Sequence, residues 1–284
     1  MRFAFDHLVQ FVEDPHEAMT IFKEKGLHAI AGGEHQNGQT YNTLSYFDLS
    51  YIEFIGVLDK KVFEQTEHSK RSLMHTVVED GFTEGFSRFV MRTDDIEGAA
   101  RYFREKGLMV DGPLPRSRKR PDGSVIEWHL LLIGNEDGDL ELPYVIDWNE
   151  SDEERREKLI ESGAVTSDSS GAVFTELSFA VKNVDDIVGK WSDWLNLQVG
   201  EEIIDEELNA KCRTLKLPGG DLVFCSPLSD GIVSEVLQTR GEKPFQVKFT
   251  SGQEVESFEL FGGFFKKVQL PLAIPKKPLQ LFLK

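Results

Sequence analysis

The chain has 284 residues, 40% hydrophobic and 21 of them Phe, which exceeds one typical domain and suits a globular protein with two cores. A net charge of −17 argues against nucleic acid or an anionic membrane as partner, because phosphate binding needs clustered Lys and Arg; the run RSRKRP from Arg116 to Pro121 is the one local exception. No apolar run approaches the roughly 18 residues that span a bilayer, and the chain enters a strand without a charged and then apolar leader, so the reading is cytoplasmic.

In chain order, residues 3–12 alternate as a strand. DPHEAMTIFKEKG then reads as a helix with an acidic start, Pro15 in its first turn and Gly26 as its stop. Strand-like runs follow at His28 to Ala31, Tyr41 to Asp48 and Tyr51 to Leu58, with a polar Gly- and Asn-rich turn, GGEHQNG, before the second. After the helical link KKVFEQTEHSKRSLMHTVVED the same order returns. FSRFVMRT is a strand and DDIEGAARYFREKG a helix closed by Gly107. Met109 to Gly112, Val125 to Ile133 and Leu140 to Trp148 are strands separated by the turns RSRKRPDG and NEDGD. The repeated EKG-L at 24–27 and 105–108 marks one internal repeat of order β-α-β-β-β. A charged helical linker occupies 149–170, with a boundary at TSDSSG.

A third copy begins with FTELSFAVKNV and the helix DDIVGKWSDWLNL, whose Trp191 and Trp194 are read as core packing. Strands follow at Val199 to Ile204, Cys212 to Leu217 and Leu222 to Ser226. The helix-like GIVSEVLQTRG leads to a fourth, abbreviated copy: the strand PFQVKFTS, barely two turns of helix in VESFELFGG, and a strand-like PLQLFLK. The fold class is therefore α+β, with tandem βαβββ modules forming paired curved mixed sheets and helices outside. It divides into 1–148, the linker, and 171–284. Cys212 and Cys225 have neither metal nor redox spacing and are read as reduced thiols.

Glu53 is the one acid in the apolar strand YIEFIG, where a carboxylate is costly unless paired, and His7 is the only imidazole of the first strand. Both are expected to face one concave pocket.

Such tandem units resemble the vicinal oxygen chelate superfamily, and residues 3 to about 150 resemble its glyoxalase-like family. The residues that carry the likeness are FDHLV at 5–9, GGEH at 32–35 with Thr40 and Asn42, YIEFIG at 51–56 and LPYVIDW at 142–148. The resemblance implies a divalent metal held by four strand positions, which fall at His7, Glu53, Arg88 and Glu141. Arg88 cannot be a ligand, since a guanidinium has no lone pair to donate; if inward, it would pair with Glu53 or Glu141 and stand in for the cation. The metal set reduces to His7, Glu53 and Glu141. The cofactor expectation is one divalent metal at most, with none the favoured reading. The corresponding second pair, near Glu176, Val223 and Gln246, is not expected to bind metal.

The resemblance also implies Glu53 or Glu141 as catalytic base, with His7 as ligand or proton donor, in Lewis-acid-assisted enolisation. His35, Thr40, Asn42, Arg88, Arg120 and His129 are candidate pocket residues. Each has a plainer alternative. His7 could be a core histidine and Glu141 a solvated edge residue. His35, Thr40 and Asn42 could serve their turn, Arg120 could be a surface turn residue, and His129 or Trp128 could face the pocket, since a period of two permits either. Two function classes follow: a lyase- or isomerase-like enzyme acting on a small oxygen-bearing molecule, or a metal-free protein that binds and sequesters one, as bleomycin-resistance proteins do. A non-catalytic assembly role suits the C-terminal half. An extradiol dioxygenase would want two His and one Glu, and that reading drops out. The units can pair within one chain or between two, which leaves a homodimer open.

Overall fold

The computed structural model describes residues 2–35, 39–135, 140–165, 172–251 and 255–269. The first repeat comprises β1 (Ala4–Phe11), α1 (Pro15–Glu24), β2 (Ile30–His35), β3 (Thr40–Phe47) and β4 (Ser50–Val57). Helices α2 (Lys60–Gln65) and α3 (Leu73–Glu79) lead to the second: β5 (Gly85–Arg92), α4 (Ile96–Glu105), β6 (Met109–Lys119), β7 (Val125–Gly134) and β8 (Tyr144–Asp147). After α5 (Asp152–Glu161) come β9 (Val173–Ala180), α6 (Val184–Leu195), β10 (Gln198–Asp205), β11 (Ala210–Lys216), β12 (Asp221–Pro227) and α7 (Ile232–Arg240). The described chain ends with β13 (Lys243–Ser251), β14 (Glu256–Leu260) and β15 (Gly263–Gln269).

The repeat is built from repeated local chemistry. Asp14, Asp95 and Asn183 each cap the helix of their copy by accepting from backbone N–H groups of its first turn. Gly26 and Gly107, both at positive φ, end the first two of those helices, which is the conformation that the EKG signature supplies.

Strands β1 to β8 close into a barrel in the order β1-β4-β3-β2-β6-β7-β8-β5. The closure is thin at one seam: β2 meets β6 only at Glu34↔Lys119 and His35↔Arg118. Strands β9 to β15 form a seven-stranded sheet, β10-β11-β12-β9-β13-β15-β14. The outer face of β1 and β5 lies on this sheet through one aromatic core. Phe5 stacks on Phe174 at 4.4 Å between centroids, Phe89 packs on Trp191 at 6.1 Å, and Phe86 meets Phe265 edge-on. Each fully buried Phe of this layer contributes about 1.5–3 kcal/mol by leaving water. Inside the barrel, Phe63 of α2 with Leu73 and Val77 of α3 closes one end over Phe11 and Ile55. Helix α5 crosses the open seam, with Leu159 against Leu44 and Tyr46.

Several boundaries differ from the sequence reading. GGEH is not a turn but the second half of β2, and RSRK continues β6 as a strand rather than turning. VESFELFGG is not helical: Glu256–Leu260 pairs with β15, because alternation of outward polar and inward apolar residues suits an edge strand. Strand β8 begins only at Tyr144, so Glu141 precedes the strand in which it was expected. The turn residues 36–38 and 136–139, the TSDSSG boundary and the PLQLFLK strand lie outside the described residues.

Candidate functional site

In β1 the antiparallel register against β5 jumps from Phe5↔Met91 to His7↔Val90, so Asp6 is the extra residue of a bulge. The bulge brings Asp6 to the side of the sheet that His7 occupies. Its Oδ1 lies 2.6 Å from His7 Nδ1 and its Oδ2 accepts from Trp148 Nε1 at 2.9 Å. Burial alone would raise the Asp6 carboxyl, but Arg155, the His7 bond and Arg92 outweigh it and hold it below the usual range. An ionised carboxylate only accepts, so His7 carries a proton on Nδ1 and turns Nε2 into the barrel. The His7 ring is fixed by a stack on Tyr51, 4.5 Å between centroids.

Glu53 of β4 faces that imidazole, with Oε2 3.5 Å from His7 Nε2. Asn42 of β3 donates its amide N–H to Oε1, and His35 Nε2 stands 3.7 Å from the same oxygen. His35 is held in turn by Thr40, whose Oγ1 is 2.9 Å from its Nδ1. Burial pushes Glu53 up, yet His7, His35, Asn42 and Arg118 together bring it below its ordinary value, so it is ionised near neutral pH. Burial pulls His35 down, against the opposing pull of Glu53. Gly32 makes the arrangement possible: a Cβ there would sit 2.0 Å from Asn42 Oδ1 and 3.0 Å from Arg118 Nη1. The first Gly of GGEH therefore serves close approach.

The cavity over these groups has a volume of about 580 Å³. His7, His35, Glu53, Arg118, Trp128 and Tyr144 are among the residues that line it, with Val9, Ile55 and Leu132 giving an apolar wall. Arg118 is only 6% exposed and has no ion pair or side-chain hydrogen bond among the described residues. Among the described residues, Arg116 and Arg118 both line this largely apolar chamber beside the Glu53 carboxylate, which suits an anion with an apolar body.

The second repeat departs from the first in the same positions. Because His7↔Val90 and Val9↔Arg88 are related by a local two-fold, Arg88 is the counterpart of His7. Val9↔Glu53 then corresponds to Val90↔Tyr144, so the counterpart of Glu53 is Tyr144 and not Glu141. Arg88 stacks on Tyr144 at 4.4 Å, and its Nη2 pairs with Glu141 at 2.5 Å. The structure thus brings together His7, Glu53, His35, Thr40 and Asn42, and puts Glu141 in a separate environment with Arg88. Of the two pairings open to Arg88, only that with Glu141 forms. His129 does not line the cavity; it bonds Asn149 at 3.0 Å, and Trp128 takes the inward place. Arg120 lies just past the end of β6 and lines a second cavity.

These residues do not fit the superfamily's metal. Two of the four positions carry a guanidinium and a phenol, and burial raises that phenol well above its ordinary value. Asn42 already occupies Glu53 Oε1, and no group of three His, Cys, Asp or Glu among the described residues is arranged to hold a metal.

Sequence reasoning missed Asp6, Arg118 and Trp148. The signals for Asp6 and Trp148 were within the quoted motifs, FDHLV and the Trp that ends LPYVIDW. Arg118 was hidden in a run read as a turn.

A family model described as "glyoxalase-like domain" matches residues 5–195, more than half of the chain. No curated protein matches. Among solved structures, a hypothetical protein from Staphylococcus aureus is 22% identical, with 94% of this chain and 100% of that chain covered and a TM-score of 0.77. A mutant of 4-hydroxymandelate synthase from Streptomyces coelicolor is 9% identical, covering 89% of this chain and 72% of that one at a TM-score of 0.59. At these identities the likeness is one of fold. On the family match and the paired βαβββ repeats, the chain belongs to the glyoxalase-like domain family of the vicinal oxygen chelate superfamily.

Proposed function

We propose that the barrel binds a small oxygen-bearing organic anion and moves a proton on it, in the manner of an isomerase or lyase. The observation that carries this reading is the convergence of His7 Nε2 and the Glu53 carboxylate, 3.5 Å apart, beside the guanidinium of Arg118, which has no ion pair among the described residues. Glu53 takes a proton from the carbon next to a carbonyl, the C–H electron pair becomes the C=C bond of an enolate, and the carbonyl oxygen takes up the negative charge. Arg118 is the charged group placed to stabilise that oxygen, and no metal step is needed. Asp6 does not touch the substrate; it positions His7.

The test is deuterium wash-in from D₂O into a panel of 2-oxoacids, followed by proton NMR. Exchange by the wild type, reduced at least about 100-fold in Glu53→Gln, is the expected result. Equal rates in the two proteins would refute the assignment. A second reading, ligand binding without turnover, is favoured by Arg88 and Tyr144 standing where donors are expected. It is distinguished by saturable binding with no wash-in.

A further inference from the structure

A second, outer cavity, of about 640 Å³, opens at the barrel end where β2 and β6 separate and α5 packs across it. Arg118 and Trp148 line both cavities and form the partition between them. The outer chamber also receives Arg120, Arg155 and Lys158. Lys158 is paired with Glu150, and Asp122 is turned back onto its own loop through Ser124. The arginines differ from both. Arg155 is 5% exposed, lies with its guanidinium carbon 3.6 Å from the centre of the Trp148 ring, and leaves Nε and Nη2 without partners. Arg118 leaves its buried Nε unpartnered as well.

Asp6 is the anion that acts most strongly on Arg155, and Arg118 acts on Glu53, yet both guanidiniums keep buried N–H donors without acceptors, which an oxyanion in the chamber would satisfy. Glu127 also lines the chamber, but among the described residues no carboxylate lies within ion-pair distance of Arg118 or Arg155. In a chain of net charge −17 the chamber lining still carries four cations, Arg118, Arg120, Arg155 and Lys158, against three acids, Asp122, Glu127 and Glu150.

We infer that the outer chamber is an oxyanion subsite, taking a carboxylate or phosphate at the far end of an elongated ligand whose oxygen-bearing reacting end lies in the barrel. The second half of this statement rests on the function proposed above; the anion site itself does not. Arg155 and Arg120 hold the distal anion, and Arg118 stands between the two groups. The ligand is then a bifunctional organic acid rather than a compact oxoacid.

Calorimetric titration of inorganic phosphate, pyrophosphate and glutarate tests it, using the full chain as wild type, Arg155→Met and Glu53→Gln. The expected result is saturable binding of at least one anion, weakened at least tenfold in Arg155→Met with the far-ultraviolet dichroism unchanged, and retained in Glu53→Gln. Preference for phosphate or for the dicarboxylate identifies the distal group. No saturable binding of any of the three, or equal affinity in Arg155→Met, overturns the subsite. If Arg155→Met fails to fold, Arg120→Gln replaces it, and unchanged binding there overturns the proposal equally. Wash-in into 2-oxoglutarate is then compared with pyruvate: Arg155→Met should raise the KM for the former and leave kcat in place. Anion binding without wash-in would sustain the subsite and refute only the barrel chemistry.

Discussion

Replacing Asp6 by Asn tests the device that aims His7. The carboxylate is fully buried and accepts two bonds, at 2.6 Å from His7 and 2.9 Å from Trp148, and it is the anion nearest in effect to the buried Arg155. A carboxamide of the same shape can accept from only one of the two with its oxygen and must present N–H to the other. Trp148 Nε1 can only donate, so the Asn oxygen goes to Trp148 and its NH₂ faces His7 Nδ1. His7 must then carry its mobile proton on Nε2. A hydrogen bond to a charged group contributes about 1.5–3 kcal/mol, and the uncovered Arg155 charge adds to the loss. The expected destabilisation is about 3 kcal/mol, read by urea unfolding with slopes compared between the proteins. The imidazole nitrogen spectrum should show His7 Nδ1 protonated in the wild type and bare in the variant. A stability change within about 0.5 kcal/mol, the range of an indifferent substitution, together with an unaltered Nδ1 signal would refute the reasoning.

Gly32→Ala places a methyl 2.0 Å from Asn42 Oδ1, so Asn42 must leave Glu53 or the backbone must shift; a loss of about 1–3 kcal/mol in denaturant titration is expected. Glu141→Gln should cost about 1 kcal/mol, since its carboxylate is 41% exposed and Arg88 keeps Thr76, Leu142 and Tyr144. Arg88→Ala leaves a cavity and should cost about 3–5 kcal/mol, a contrast measurable in the same experiment. His35 gives a pH signature. Burial lowers its folded pKa, so as pH falls below about 6.5, the ordinary histidine value, the unfolded chain takes the proton first and stability declines by up to about 1.4 kcal/mol per pH unit. His35→Gln should flatten that slope below about pH 6.5; an unchanged slope would place the titration elsewhere. Below about pH 4, Glu53 and Asp6 lose the stability their lowered pKa values confer, which is present above the unfolded values and lost as pH falls.

Alternation and capping made much of the fold legible: β1, β3, β4, β5, α1, α4 and α6 follow from period-two runs, Asp or Asn caps and the two EKG stops. The pairing of His7 with Glu53 followed from the cost of a lone acid in an apolar strand and from the single imidazole of the first strand. Parity explains what was lost. A one-residue bulge at Asp6 leaves no mark in composition, yet it carries a side chain across the sheet. Trp128 and His129 are adjacent, so one step of register decides which faces the cavity. Glu141 and Tyr144 are three residues apart, and only pairing with Val90 reveals which corresponds to Glu53. Arg118 was concealed for a different reason: a basic, polar run reads as a turn, whereas β6 carries it as strand along β7 and buries its Arg at the barrel mouth.

The two acids singled out from sequence now stand in opposite roles, one in the cavity and one bound to Arg88. Wash-in of deuterium into 2-oxoglutarate, run side by side on wild type, Glu53→Gln and Glu141→Gln, measures that difference directly. Exchange is expected in the wild type and in Glu141→Gln, and its loss in Glu53→Gln. Exchange that survives in Glu53→Gln and disappears in Glu141→Gln would contradict those roles.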